Sequence, residues 1–178
     1  MRAAASREGE RMLEGEAGQD YLTGLVNRRG LEASADALDG KDMPLAVYLF
    51  DLDNLKHIND TFGHMRGDQT ISAFAELLRE QTRESDILSR FGGDEFVVIM
   101  KQMKSGESAV KKGEDICRSI CEYPFADNVR ACCSAGVVIW DTRKPLPAIL
   151  EYADQALYRA KAENKGGCCM WEEGSEYP

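Results

Sequence analysis

Apolar positions along this chain switch between two periods, and the switches mark its elements. Pro44-Leu45-Ala46-Val47-Tyr48-Leu49-Phe50 is apolar almost without a break, the pattern of a central strand buried on both faces. It runs straight into Asp51-Leu52-Asp53. Asn54 to about Asp60 reads as a short helix, Thr61 to Gly67 as a loop, and Asp68 to Arg83 as a longer amphipathic helix. In that helix Ile71, Phe74, Leu77 and Leu78 recur at helical spacing. A short run, Ile87-Leu88, and a β-prone one, Phe96-Val97-Val98-Ile99-Met100, flank Gly92-Gly93-Asp94-Glu95. This predicts a β-hairpin whose turn uses glycine backbone freedom and whose tip presents acids.

The flanks follow the same logic. Asn27 is placed to cap a helix running to about Leu38, and Asp39-Gly40-Lys41-Asp42 makes a turn. A helix from about Ser108 to Cys121, a strand from Val129 to Trp140, a helix from Leu146 to Ala162 and a short strand Cys168-Cys169-Met170-Trp171 complete the set. Residues 1 to 18 carry no sustained apolar face and read as a partly helical lead-in. Strands and helices mix without strict alternation, which predicts an α/β (α+β) sandwich around a mainly antiparallel sheet.

Composition narrows the function. At 178 residues the chain is about one ordinary domain with a real core. A net charge of -9 argues against a sequence-independent grip on a nucleic-acid polymer, which needs basic surface. A single nucleotide is still allowed, because a divalent cation offsets its phosphates locally. No apolar run reaches a membrane-spanning length and the N-terminus has no signal-peptide stretch, so the expected setting is cytoplasmic, without direct membrane contact, or the cytoplasmic end of a larger sensor. The six cysteines form no C-x-x-C pair, and they are expected to be free, small, buried hydrophobes.

The candidate chemistry lies in acids. Asp51 and Asp53 end the apolar strand, and residues i and i+2 of a strand face the same way. The hairpin tip brings Asp94 and Glu95. Two acidic tips and substrate phosphates suit Mg²⁺, which takes few protein carboxylates. Read alone, the same residues are solvated turn acids.

The surrounding text separates the two readings. Asp20-Tyr21-Leu22-Thr23-Gly24-Leu25-Val26-Asn27-Arg28-Arg29 resembles the opening signature of the GGDEF family of diguanylate cyclases. So does Phe50-Asp51-Leu52-Asp53-Asn54-Leu55-Lys56-His57-Ile58-Asn59-Asp60, followed by Gly63-His64-Met65-Arg66-Gly67-Asp68. The tip Gly92-Gly93-Asp94-Glu95-Phe96 is the namesake motif, and Tyr152-Ala153-Asp154-Gln155-Ala156-Leu157-Tyr158-Arg159-Ala160-Lys161 matches the closing helix. On this resemblance the chain divides into a lead-in 1–19, a catalytic domain 20–173 and a tail 174–178.

The resemblance implies condensation of two GTP into cyclic di-GMP on a fold like the polymerase palm and adenylyl cyclases, with a sheet of about five strands. Asp51, the Leu52 carbonyl and Asp94 would hold Mg²⁺ or Mn²⁺, with Glu95 nearby, and Gly92 and Gly93 would leave room for phosphates. Asp94 is also the implied general base at the 3′-hydroxyl. Asn59 and Asp68 would read guanine, the amide serving the N3/N2 edge and the carboxylate accepting from N1–H and N2–H. Lys56 matches a lysine that stabilises transition-state charge; read alone, it is a solvated helix lysine. His64 matches a position near the nucleotide, or is a loop histidine with a structural bond. Lys161 aligns with a phosphate-binding lysine, and Lys165 stands where an arginine is usual, keeping charge but not the planar fork. Arg83-Glu84-Ser85-Asp86 matches the family's product-inhibition motif, in which Arg83 and Asp86 would grip cyclic di-GMP. Two GTP on two chains imply a homodimer, and residues 1–19 are too short for a sensor of their own, which points to a possible upstream one. The alternative is a catalytically silent module that binds GTP or cyclic di-GMP.

Overall fold

The computed structural model describes residues 18–141, 144–163 and 165–174. The greater part of the expected lead-in, and the end of the tail, therefore lie outside the described residues. The elements are α1 (Arg28–Asp36), β1 (Leu45–Asp53), α2 (Leu55–Phe62), α3 (His64–Gln81), β2 (Ile87–Arg90), β3 (Glu95–Met100), α4 (Gly106–Glu122), a 3₁₀ turn (Ala126–Asn128), β4 (Cys132–Trp140), α5 (Leu146–Glu163) and β5 (Cys168–Met170). The sheet order is β2-β3-β1-β4-β5. Every pairing is antiparallel except β4 with β5, so the mainly antiparallel sandwich predicted from the pattern is the fold observed.

β1 is the centre because it is apolar on both faces. Ala46, Tyr48, Phe50 and Leu52 point into a core shared with α2, α3 and α4. Leu45, Val47 and Leu49 point into a second core shared with α1 and α5. Strand alternation thus divides one continuous apolar run between two layers. Phe74 of α3 stands edge-on to both Phe50 and Phe96 and locks that helix to the sheet. On the opposite face Gly136 of β4 lets α5 sit down on the strands. A Cβ there would lie 2.0 Å from the Ala153 carbonyl oxygen and 2.4 Å from the Leu157 nitrogen.

Several boundaries differ from expectation. Residues 61–67 are not a loop: α2 and α3 meet at Gly63, whose φ of 86° lets the chain turn sharply between helices. The helix capped by Asn27 stops at Asp36 rather than Leu38, and Asn27 Oδ1 accepts from the Gly30 nitrogen at 3.0 Å as expected of a cap. α4 starts two residues early, because Ser105 caps it by accepting from the Ser108 nitrogen. β4 starts at Cys132 rather than Val129, whose nitrogen instead closes the 3₁₀ turn by donating to the Ala126 carbonyl at 3.2 Å. The cysteines are corrected in part. Cys121 and Cys132 form a disulfide across a Cα separation of 4.5 Å, because the end of α4 returns beside the start of β4. Cys117, Cys133 and Cys168 are free and buried, as expected, and Cys169 is free and half-buried.

Candidate functional site

At one end of the sheet the register sets Asp51 of β1 directly opposite Glu95 of β3. Like charges directly across an antiparallel pair repel, so the sequence places a local penalty here. The Leu52 nitrogen donates to the Asp94 carbonyl at 3.0 Å, which holds the hairpin tip against the end of β1. Burial raises the Asp51 carboxyl above its ordinary range; Lys161 pulls it down and Asp94 and Asp53 push it further up. Glu95 is raised in turn by burial and by Asp51, Asp94 and Asp154. The counter-charge is Lys161, brought by α5, whose Nζ donates to Asp51 Oδ1 at 2.7 Å.

Asp53 does not join this group through a side-chain bond. It is buried and accepts from Ser134 Oγ at 2.8 Å, while that hydroxyl accepts from the Gly166 nitrogen at 3.1 Å. Asp53 therefore ties β1 to β4 and to the loop after α5. Among the described residues no three His, Cys, Asp or Glu side chains converge closely enough to make a metal site unaided. A cation at the end of β1 would complete its shell from phosphate and water. The hard oxygen donors of Asp51, Asp94 and Glu95, together with the Leu52 carbonyl, have the right chemistry for Mg²⁺ or Mn²⁺ in that role.

The hairpin tip corrects the expectation about its glycines. Neither Gly92 nor Gly93 adopts left-handed backbone. Gly92 matters for space, since a Cβ there would lie 2.7 Å from Glu95 Oε2, whereas Gly93 faces open space. The Phe91 and Gly92 nitrogens both donate to the Glu95 carbonyl, at 2.8 and 3.2 Å. Arg90 braces the tip from below. Its Nη2 donates to the Gly93 carbonyl at 2.8 Å, and its Nη1 donates to both Asp20 oxygens, at 3.2 and 3.1 Å. Burial works to raise the Asp20 carboxyl, but bonds from Thr23 and the Arg90 charge hold it below its usual value. This brace is the part of the site that pattern reading missed. Its only sequence signal is that Asp20 lies inside the opening motif and Arg90 stands two residues before the tip motif, since the pair spans 70 positions.

The α2–α3 elbow carries the other expected residues. Asn59 is half-buried on α2, and Asp68 is exposed on α3. Asn59 Oδ1 lies 1.9 Å from where a Gly67 Cβ would be, so its amide rests against the backbone immediately before Asp68. The turn from β1 into α2 runs through Asn54 in left-handed conformation, with φ 62°, which asparagine tolerates better than most residues. Lys56 and His64 are exposed on α2 and at the start of α3, and Lys165 is exposed just beyond α5.

Arg83 and Asp86 sit apart from this end, at the junction of α3 and β2. The Arg83 and Lys101 nitrogens donate to the two Asp86 oxygens at 2.9 and 3.0 Å. The pair lines a cavity of about 280 Å³ shared with Gln81, Lys104 and Lys112, so cations crowd its wall.

Geometry and sequence meet in the comparisons. The family model described as "Diguanylate cyclase, GGDEF domain" matches residues 17–167. The chain belongs to the GGDEF family. The chain is 40% identical over 151 residues to diguanylate cyclase DgcP of Pseudomonas aeruginosa, covering 80% of this chain and 22% of that protein. Against diguanylate cyclase DgcZ of Escherichia coli it is 33% identical over 159 residues, covering 86% of the chain and 53% of the relative. It therefore spans about a fifth to a half of the length of these GGDEF relatives. The GGDEF domain of DgcB from Caulobacter crescentus, solved in complex with c-di-GMP, superposes with a TM-score of 0.77 at 26% identity, covering 88% of this chain and 94% of that one. Among the described residues no helix of this GGDEF chain is long and apolar enough to cross a membrane.

Proposed function

We propose that this chain is the catalytic domain of a diguanylate cyclase, condensing two GTP into cyclic di-GMP with release of two pyrophosphates. The observation that carries the reading is the acid pair Asp51–Glu95 set face to face beside Asp94, a repulsive arrangement that a bound cation would relieve. Asp51, the Leu52 carbonyl, Asp94 and Glu95 would hold Mg²⁺ or Mn²⁺, which would supply charge neutralisation of the triphosphate and acidify a nearby hydroxyl. Asn59 and Asp68 select guanine, because adenine offers no N1–H or N2–H for the carboxylate. Lys161, bonded to Asp51, would turn to the phosphates when GTP arrives, with Lys165 and Lys56 adding positive charge. His64 stands at the entrance of the same elbow.

In each half-reaction the 3′-oxygen of one GTP bonds to the α-phosphorus of the other. The P–O bond to the β-phosphate breaks, pyrophosphate leaves, and Asp94 takes the hydroxyl proton. One domain holds one GTP, so two chains face each other in a symmetric homodimer, at least during turnover. Arg83 and Asp86, on the cation-lined cavity, form the site where cyclic di-GMP inhibits; arginine's donor fork suits guanine and phosphate. The domain works in the cytoplasm, downstream of a sensor.

The test is direct. Concentrated protein with GTP and Mg²⁺ yields cyclic di-GMP, identified by mass spectrometry, and Asp94→Asn yields none. Measurable GTP binding with no product above that control would establish a silent nucleotide-binding module instead. Equal product from ATP would show that Asp68 has been misread.

A further inference from the structure

The α2–α3 elbow contains a constraint that the motif alone does not explain. Gly67 is buried in α3 with ordinary helical backbone, so its lack of a side chain is not needed for conformation, and alanine is the better helix former. The three nearest atoms to a Cβ built at Gly67 all belong to one side chain: Asn59 Oδ1 at 1.9 Å, Cγ at 2.9 Å and Nδ2 at 3.3 Å. Contacts under 3.0 Å essentially never occur at a real Cβ. The space an ordinary residue would fill at position 67 is occupied by the Asn59 amide. The Asn59 backbone is held in α2, where its carbonyl accepts from the Gly63 nitrogen at 2.9 Å, so only the side-chain torsions can yield.

We propose that Gly67 is a positioning residue for guanine selectivity, holding Asn59 in its reading rotamer by leaving its amide a seat beside Asp68. The inference rests on the reading of Asn59 as a guanine ligand. A methyl at position 67 evicts the amide. Because Asn59 is only half-buried, the amide swings into solvent at little cost to the fold. Selectivity is then lost while stability is kept, a combination that simple helix packing does not produce.

The experiment measures binding of 3′-deoxyguanosine and 3′-deoxyinosine triphosphates with Mg²⁺, by calorimetry. Both lack the attacking hydroxyl, and inosine lacks the 2-amino group. Asn59→Ala is expected to lower the guanine-over-inosine preference by roughly fivefold, about one neutral hydrogen bond. Gly67→Ala should lower it by the same factor with a melting temperature equal to or above wild type, and adding it to Asn59→Ala should change nothing further. If Asn59→Ala lowers the preference and Gly67→Ala does not, the proposal is overturned and the guanine reading stands. A Gly67→Ala protein that melts lower and loses both nucleotides equally also overturns it, making the glycine a packing residue. If Asn59→Ala leaves the preference intact, the guanine reading falls and the proposal falls with it.

Discussion

Gly136→Ala joins the packing of the sheet to the chemistry at its end. The new Cβ would meet backbone atoms of α5, the Ala153 carbonyl oxygen at 2.0 Å and the Leu157 nitrogen at 2.4 Å, against an ordinary contact of 3.4–4 Å. Backbone cannot rotate aside, so the helix must rise by more than an ångström. Overpacking of this kind costs about 1–3 kcal/mol, and the entropy gained by replacing a strand glycine returns about 0.5–1 kcal/mol. The net loss, up to about 2.5 kcal/mol and centred on about 1, lowers the melting temperature by about 2–4 °C per kcal/mol for a domain of this size. Lys161 lies one turn beyond Leu157 on the same helix, and its 2.7 Å bond to Asp51 stretches as the helix lifts. Thermal unfolding by circular dichroism at pH 7 and calorimetric binding of 3′-deoxy-GTP with Mg²⁺ should therefore both deteriorate. A variant as stable as wild type, binding the nucleotide equally well, would refute the claim that α5 is seated through Gly136.

Three further outcomes are expected. Arg90→Met should cost about 1–3 kcal/mol in urea unfolding, between exposed and buried ion pairs, since the Arg90 and Asp20 side chains are 13% and 16% exposed. Asp20 has a lowered folded pKa, so its contribution is present above the unfolded value of 3.8 and lost as pH falls through the folded one. Stability of Arg90→Met should accordingly depend less on pH in that acid range. Glu95→Gln should stabilise the nucleotide-free protein at pH 7 by a few tenths of a kcal/mol after solvent screening, read as a higher melting temperature. Its carboxyl is raised, so ionisation opposes folding above the folded pKa, and the gain should vanish as pH falls below the unfolded value. Arg83→Ala should abolish cyclic di-GMP binding by calorimetry while turnover continues; unchanged affinity would reject the inhibitory site.

Local patterns carried most of the fold into view. The unbroken apolar run of β1 announced a strand buried on both faces, and it is the central strand of the sheet. Asn27 was readable as a cap because capping is a short-range bond. The elbow at Gly63 was not, since polar residues 61–67 look like a loop until the helices on either side are seen to meet there. The Cys121–Cys132 bond was hidden for a similar reason: only the return of the chain through the 3₁₀ turn brings the two together. The site divides in the same way. Asp51 and Glu95 were legible one by one, but their face-to-face register depends on β1–β3 pairing. Asp53 looked equivalent to Asp51 on the strand, and only Ser134, from another strand, makes it a structural acid.

The proposed function requires that Asp51, Asp94 and Glu95 repel one another until a cation brings GTP among them. The most direct measurement is the affinity for 3′-deoxy-GTP with and without Mg²⁺, in wild type and in Asp51→Asn. Tight binding should require Mg²⁺, and Asp51→Asn should abolish this requirement along with most of the affinity. Equal affinity with and without the metal, or a Mg²⁺ dependence untouched by Asp51→Asn, would contradict the proposed function.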